Sequence, residues 1–453
     1  MKVRNILTAF SLLFVATFLL LTGHAQPVTH VATGSYHSLF LKSDGSLWAM
    51  GSKTAGQLGD GTYNNSTNLP ELIVVSNVMA VAAGKNHSLF LKRDGSLWAM
   101  GNNFYGQLGG TSSFPSFYSV PQQIVASNVT AIAAGGSHSL FLQSDGSLWA
   151  MGWNNVGQLG DGTYFNTNHP KQIVTTNVTA IAAGTDHSLF LKNDGSLWAM
   201  GANAAGQLGD GTYSTTNLPE EIVTSNVTAI AAGANHSLFV KSDGSLWAMG
   251  SNVYGQLGDG TQFTLSQFTN RPEQIVASNV TAVAAGDNHS LFLKSDGSLW
   301  AMGNDTYGQL GNGINTDISS GIKQPEQIVA GGVSEVDGGA FHTLFIKSDG
   351  SVWAMGSNSQ GQLGDGTNIA TNRLQQILAP YNEISGQILT DGSMRLSFVG
   401  IAGASYALEW APTISPANWI PVATNPASSY GPLNFTNNPN PATDNFWRIR
   451  FVP

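Results

Sequence analysis

Between residues 28 and 379 the apolar positions fall in short runs, each too brief for a helix and each bounded by Gly, Asn, Asp or Ser. Val129-Thr130-Ala131-Ile132-Ala133-Ala134 is followed by His138-Ser139-Leu140-Phe141-Leu142 and then by Ser147-Leu148-Trp149-Ala150-Met151, with Gln123-Ile124-Val125 just upstream. The pattern predicts four short strands per unit, the Gln-Ile-Val run being the fourth in type. The second and third are apolar at successive positions, as a strand covered on both faces must be. Between them the Asp-Gly of Ser-Asp-Gly-Ser is expected as a two-residue hairpin turn with both residues at positive φ. Ala-Ala-Gly at the end of the first run suits a crowded centre that excludes large side chains.

The unit recurs seven times, with its histidine at His37, His87, His138, His187, His236, His289 and His342. A tryptophan follows each histidine at a fixed distance, at Trp48, Trp98, Trp149, Trp198, Trp247, Trp300 and Trp353. Gly-Gln-Leu-Gly closes each copy, from Gly56-Gln57-Leu58-Gly59 to Gly361-Gln362-Leu363-Gly364. Successive histidines lie 49 to 53 residues apart, so the slack sits in one loop. A period near fifty predicts a propeller or a solenoid, and an all-β one.

Ala-Ala-Gly-x-x-His-Ser, Asp-Gly-x-x-Trp-x-x-Gly and Gly-Gln-Leu-Gly, recurring in register over roughly residues 28 to 379, resemble the repeats of the regulator of chromosome condensation family. That resemblance implies a seven-bladed β-propeller. Copy one starts at Val28 with no Gln-Ile-Val run before it, and Gln375-Gln376-Ile377-Leu378 has no successor. The final strand is therefore expected to complete the first blade and leave no open edge.

The repeat stops past Pro380. Residues 381–453 hold apolar runs such as Met394–Val399, Ser405–Trp410 and Phe446–Phe451 between Gly, Pro and Asn clusters. About five strands are expected there, as a small β-sandwich-like module. Its Gly-x-x-Gly-x-x-Tyr-x-Leu-x-Trp pattern is similar to short C-terminal modules of exported bacterial proteins, which implies packing, sorting or surface attachment. Residues 1–25 read as a secretory signal: Lys2 and Arg4, an apolar run from Ile6 to Leu21, then Gly23-His24-Ala25 before Gln26. The expected domains are thus 1–25, 26–380 and 381–453. The protein is expected to be bacterial and secreted or in the cell envelope or periplasm, with no membrane span once the signal is removed.

Composition narrows the function. The chain has 27 Asp and Glu against 18 Lys and Arg, a net charge of −9, which argues against nucleic acid as a partner. It has no cysteine, so packing must stabilise it without disulfides. One histidine per rotationally related copy cannot converge on a metal ion, so the seven histidines and seven tryptophans are expected to be structural. Asp-Gly-Thr and Ser-Asp-Gly-Ser supply too few carboxylates per loop for calcium. Asp-Gly-Ser-Leu-Trp is reminiscent of the sialidase Asp-box, but the spacing differs and Arg93, Arg271 and Arg373 are too few for an arginine cluster. No cofactor, metal or enzymatic activity is expected.

The resemblance implies binding more than catalysis. The eukaryotic namesake acts on a small nuclear GTPase and on chromatin, while secreted bacterial members include a protein inhibitor of β-lactamase. In an antiparallel meander the loops alternate between two faces. The variable positions Tyr36, Phe104, Tyr105, Trp153, Asp186, Tyr254, Asp287, Tyr307 and Phe341 all fall on the face of the Gly-x-x-His turns. Insertions add Phe114, Phe117, Tyr118, Tyr164, Phe165, Phe263 and Phe268. Aromatic residues anchor interfaces, so this face is expected to bind an unidentified protein or glycan, the protein itself being a monomer. The competing readings are a structural surface scaffold, a guanine-nucleotide exchange regulator and a sialidase-like glycosidase.

Overall fold

A computed structural model describes residues 26–378, apart from 64–65, 111–115, 262–267 and 317–320, and the strands of the C-terminal region with Ser393. The signal assignment at 1–25, and the insertion residues Phe114 and Phe263, lie outside the described residues. Residues Val28–Ala379 form one compact unit, and Pro380–Pro453 belong to another. The repeat unit is a seven-bladed β-propeller of seven four-stranded antiparallel sheets.

Each blade runs in sequence order from an inner strand to an outer one. In the first these are Val28–Thr33, His37–Lys42, Leu47–Gly51 and Thr67–Val74. Gln-Ile-Val therefore ends the preceding blade, and two expectations change. The final strand Thr371–Leu378 pairs with Val352–Gly356 in the last blade, while Thr67–Val74 completes the first. No strand is exchanged, because the chain enters on an inner strand and leaves the ring on an outer one. The ring closes through side-chain bonds, backbone bonds between the inner turns and packed faces instead.

Strand alternation explains how. Adjacent residues of a strand point to opposite faces of the sheet. In His37-Ser38-Leu39-Phe40-Leu41, His37, Leu39 and Leu41 face the next blade, while Ser38 and Phe40 face the previous one. Leu39, Leu41, Leu47, Ala49 and Leu58 accordingly pack against Val78, Phe90 and Met100. At the closing seam Leu344, Ile346, Val352 and Ala354 meet Phe40 and Met50 in the same way.

The same alternation gives each blade a histidine for its successor and a hydroxyl for its predecessor. His37 Nε2 lies 2.8 Å from Ser88 Oγ, His87 bonds Ser139, and the series runs on to His289 with Thr343. His342 then bonds Ser38 at 2.8 Å, which closes a circle of seven. Each hydroxyl donates its own hydrogen to a Gly-Gln-Leu-Gly backbone carbonyl, as Ser88 Oγ does to Gln57 O. The imidazole Nε2–H must therefore be the donor to the hydroxyl, which leaves Nδ1 bare. All seven Nδ1 atoms are buried without a partner. Burial drives the histidines down, His87, His187 and His289 to about 4 and His37, His138, His236 and His342 to about 3. The neutral rings contribute stability that is complete above the unfolded value of about 6.5 and is lost as pH falls toward 3–4.

A second circle lies nearer the axis. Ser35 N donates to Lys85 O, Lys85 N to Gly135 O, and each blade bonds the next until Ala340 N reaches Gly34 O. The closing seam adds two carboxylates that the other inner strands lack. Glu335 accepts from Val31 N at 3.0 Å, and Asp337 accepts from Thr33 N and Thr33 Oγ1 at 2.7 and 2.8 Å.

The hairpin also differs from expectation. Gly45 has φ of 80°, Asp44 does not have positive φ, and Gly45 N donates to Lys42 O while Lys42 N donates to Ser46 O. This is a three-residue loop, a turn followed by a left-handed glycine. The Asp carboxylate caps it: Asp94 Oδ1 accepts from Ser96 N and Oγ, and Ser96 Oγ accepts from Trp98 Nε1. Trp98 stacks on Phe90 with centroids 6.1 Å apart and carries Lys92 Nζ 4.0 Å over its ring. The Asp-Gly-Ser-x-Trp motif is thus accounted for by turn capping and sheet packing.

Among the described residues the C-terminal region contributes six strands in two three-stranded sheets, ordered Ser385–Ile388, Met394–Val399, Pro432–Asn437 and Ile420–Pro426, Ser405–Ala411, Phe446–Val452. Leu396, Ala407, Leu408 and Phe435 are buried there.

The glycine of Ala-Ala-Gly-x-x-His makes the histidine circle possible. A Cβ on Gly84 would stand 2.3 Å from His87 Cε1 and 2.4 Å from Gly135 O. Gly84→Ala should lower unfolding free energy by about 3 kcal/mol. Gly331→Ala, where a Cβ meets nothing nearer than Asp296 O at 3.4 Å, should change it by less than about 0.5 kcal/mol. Equilibrium denaturation of the two variants tests the claim; equal stabilities would refute it.

Candidate binding face

The Gly-x-x-His turns and the Met-Gly to Gln-Leu-Gly loops share one face. Backbone bonds tie them together, Ser52 N to Tyr36 O, Asn102 N to Asn86 O and Trp153 N to Ser137 O. The Asp-Gly hairpins and the Asn-Val turns share the other, where Val78 N donates to Gly45 O and Arg93 N to Asn77 O.

A rigid frame holds the loops of the first face. In the third blade, Asn154 Oδ1 accepts from Leu159 N, and Nδ2 donates to Asp161 Oδ1 at 2.9 Å and to Thr163 O. Asp161 also pairs with Lys171. In the first blade Lys53 replaces the asparagine and pairs with Asp60 and Glu71. The sixth blade exchanges the two residue types. Asp305 accepts from Leu310 N, but its buried Oδ2 has no partner, and burial pushes the carboxyl up to about 7.

On this frame the expected residues resolve into separate groups. Tyr105 stacks on Trp153 at 5.3 Å, and Phe104 meets Tyr105 edge-on at 5.0 Å. Across the ring, Phe341 contacts Tyr307 at 5.2 Å and Tyr36 at 5.9 Å, a cluster spanning the closing seam. Tyr254 joins neither cluster; its backbone N donates to Gln256 Oε1. Phe117, Tyr164, Phe165 and Phe268 are exposed, Phe165 by 80%. Tyr118 is half-buried.

Asp186 stands one position further along its own turn than Asp287, next to His187, and Asp287 lines the axis. A cavity of about 260 Å³ opens there, walled by the inner strands and lined at its rim by Ser35, Lys85, Thr185 and Asp287. Inner strands are paired on one edge only, so their other edge presents backbone polar groups to the cavity. Burial raises both carboxyls above the ordinary range, Lys85 opposing the shift in each case. Lys85 escaped the sequence reading because a lone lysine in a variable pair carries no motif. Tyr63 and Tyr213 also went unremarked; their hydroxyls donate to Phe117 O and Phe268 O as struts between blades.

The seven repeated histidines are buried beneath this face, between blades, and the seven tryptophans pack within the sheets. Among the described residues no group of three His, Cys, Asp or Glu side chains could hold a metal ion, and no helix is long and apolar enough to cross a membrane.

Residues 15–223 and 127–397 match the sequence profile of the RCC1-like domain. The chain belongs to the RCC1-like domain family. Among curated relatives it is 33% identical over 101 residues to the ultraviolet-B receptor UVR8 of Arabidopsis thaliana, covering 22% of this chain and 23% of that one. It is 37% identical over 99 residues to the protein RCC2 homolog of Xenopus laevis, covering 21% of this chain and 18% of that one. The matches thus span less than a quarter of those relatives' length. Among solved structures, Prp20p from Saccharomyces cerevisiae is similar with a TM-score of 0.67 and 23% identity, over 80% of this chain and 89% of that one. Human WBSCR16 gives 0.66 and 23%, over 75% and 96%. At these identities the likeness establishes the fold.

Proposed function

We propose that this RCC1-like propeller is an exported, non-enzymatic binding protein that takes a protein partner on its Gly-x-x-His loop face. One observation carries the reading. Phe104, Tyr105 and Trp153 form an aromatic cluster on loops whose backbone is fixed from beneath. Large rings held rigid and partly exposed are what interface anchors require, since little conformational entropy is lost when they are covered. Among the described residues the opposite face has no comparable cluster, as its tryptophans are spent on stacking and turn capping.

The Prp20p structure is described together with that protein's binding to Gsp1p and histones, so a propeller of this fold can serve as a protein-binding platform. That parallel supports the class of function and does not carry either partner across. Export rests on Lys2, Arg4, the apolar run and Gly23-His24-Ala25.

Immobilised protein, exposed to the medium and envelope fraction of the producing cells, should retain a partner. Tyr105→Ala with Trp153→Ala should abolish that capture and leave the melting temperature within about 2 °C of wild type. Capture that survives these changes but is lost on altering Arg93 and Asp94, on the hairpin face, would put the site on the wrong side. A retained glycan in place of protein would overturn the partner class, and a full-length intact mass for the exported chain would overturn the cleaved signal.

A further inference from the structure

The sixth blade departs from the others at one buried position. In the third, fourth, fifth and seventh blades an asparagine braces the loop: Asn154, Asn203, Asn252 and Asn358. Its Oδ1 accepts from a leucine backbone N, and its Nδ2 donates to Oδ1 of an aspartate seven residues on, at 2.9–3.0 Å. The sixth blade has Asp305 and Asn312 instead. The pair still holds one carboxylate, but the charge has moved from a half-buried or exposed residue to one with 0% exposure.

Hydrogen bonds fix which atom faces which. Asp305 Oδ1 accepts from Leu310 N at 2.8 Å, as the asparagine Oδ1 does elsewhere, so Oδ2 takes the place of the amide nitrogen. Asn312 Oδ1 accepts from Ile314 N at 2.9 Å, as Asp161 Oδ1 does from Thr163 N. Asp305 Oδ2 therefore faces an acceptor where four other blades pair a donor with one, and it is buried without a partner. Turning the Asn312 amide over is no remedy. Its Nδ2 donates to Glu326 Oε2 at 3.0 Å, and after a flip it would stand against Ile314 N. Thr306 Oγ1 and Thr316 Oγ1, on the same loop, are also buried without a partner and do not supply the donor. Buried polar groups are normally satisfied, and here the missing component is one hydrogen. A protonated carboxyl provides it, having the shape of an amide with an O–H in place of an N–H.

We propose that Asp305 is a proton switch for the loop face. As a neutral acid it donates from Oδ2 to Asn312 Oδ1 and completes the sixth frame. Ionised, it sets two acceptors against each other and frees the loop. Tyr307 stands two residues further on, its N donating to Gln309 Oε1 at 2.9 Å. Its ring meets Phe341, which meets Tyr36 across the closing seam. The aromatic cluster of the seam is thus assembled while Asp305 keeps its proton and loosened when the proton is lost.

The surroundings set where this happens. Burial pushes the carboxyl up to about 7; the Leu310 bond opposes the shift and Glu326 adds to it. Charged neighbours come from two outer strands. Lys323 and Glu326 lie on that of the same blade, and Arg373 lies on that of the next, where its backbone bridges to Asn312. Among the described residues Asp305 has no ion pair. A folded value raised above the ordinary 3.8 penalises the ionised fold. Stability is complete below the ordinary value and is lost progressively as pH rises to about 7. The inference rests on the loop-face reading only in treating the seam cluster as binding surface.

Asp305→Asn restores the amide of the other blades, and melting of the full chain and this variant between pH 5 and 8.5 reads the switch. The variant should gain on wild type by about 3 °C as pH rises to 7, and gain little more above about 7.5. Misfolding cannot imitate a gain in stability. Carbon-detected NMR of the wild type should show the Asp305 carboxyl titrating near 7. The ring signals of Tyr307, Phe341 and Tyr36 should move with the same midpoint and stay fixed in Asp305→Asn. A melting difference that does not change with pH, a carboxyl already ionised at pH 5, or rings that do not follow the carboxyl would overturn the proposal. No partner enters the test, so this inference and the capture experiment above fail separately.

Discussion

The closed circle of imidazole-to-hydroxyl hydrogen bonds is the constraint that most of this fold answers to. Each bond joins two blades at a fully buried point, and each hydroxyl passes its hydrogen to the Gly-Gln-Leu-Gly backbone of the earlier blade. Several otherwise unrelated features of the repeat follow from it. His and Ser must be adjacent, so that they face opposite ways. A hydroxyl is required but its carrier is not, and Thr343 serves in the last blade. The glycine three residues before each histidine must lack a side chain. Packing then completes what the polar circle sets in register, and a Cβ on Gly59 or Gly364 would strike the sulfur of Met100 or Met50 in the neighbouring blade.

A ring fixed in this way carries the same bond at all seven seams, and it needs no exchanged strand. The first and last blades meet with the same interlock as any other pair, reinforced by Glu335 and Asp337. The consequence for function is a division of labour between the faces. Turn chemistry and Trp-Phe-Lys stacking occupy one face in nearly every copy. The other is held by buried asparagines and glutamines beneath its loops, so the tips can differ without disturbing the ring. Aromatic clusters stand at those tips, and Lys85, Thr185 and Asp287 line the axial cavity.

Much of this was legible from the residues. Period, strand count and the division into faces follow from where His, Trp and Gly-Gln-Leu-Gly recur. Two readings failed for definable reasons. Gln-Ile-Val ends a blade rather than opening one, because periodicity fixes the length of a repeat but not its starting point. Only the pairing of Thr371–Leu378 with Val352–Gly356 settles that phase. The Asp-Gly pair belongs to a three-residue loop, not a two-residue turn, because sequence does not reveal whether Lys42 bonds across to Ser46 or to a nearer residue. On the candidate face, sequence identified the variable aromatics but not their grouping, since Tyr105 and Trp153 lie in different blades. Lys85 was invisible for the same reason; its significance arises only where the inner strands converge.

The claim that the circle consists of neutral rings donating through Nε2 can be examined directly by nitrogen-detected NMR of the histidine side chains during an acid titration. Seven rings should carry hydrogen on Nε2 and none on Nδ1, and should remain unprotonated through the ordinary histidine range until the fold itself is lost. His30, raised by its hydrogen bond to Glu335, should titrate in the same spectra as an internal contrast. Folded protein in which the seven rings gain protons near pH 6.5, or carry hydrogen on Nδ1, would contradict the account.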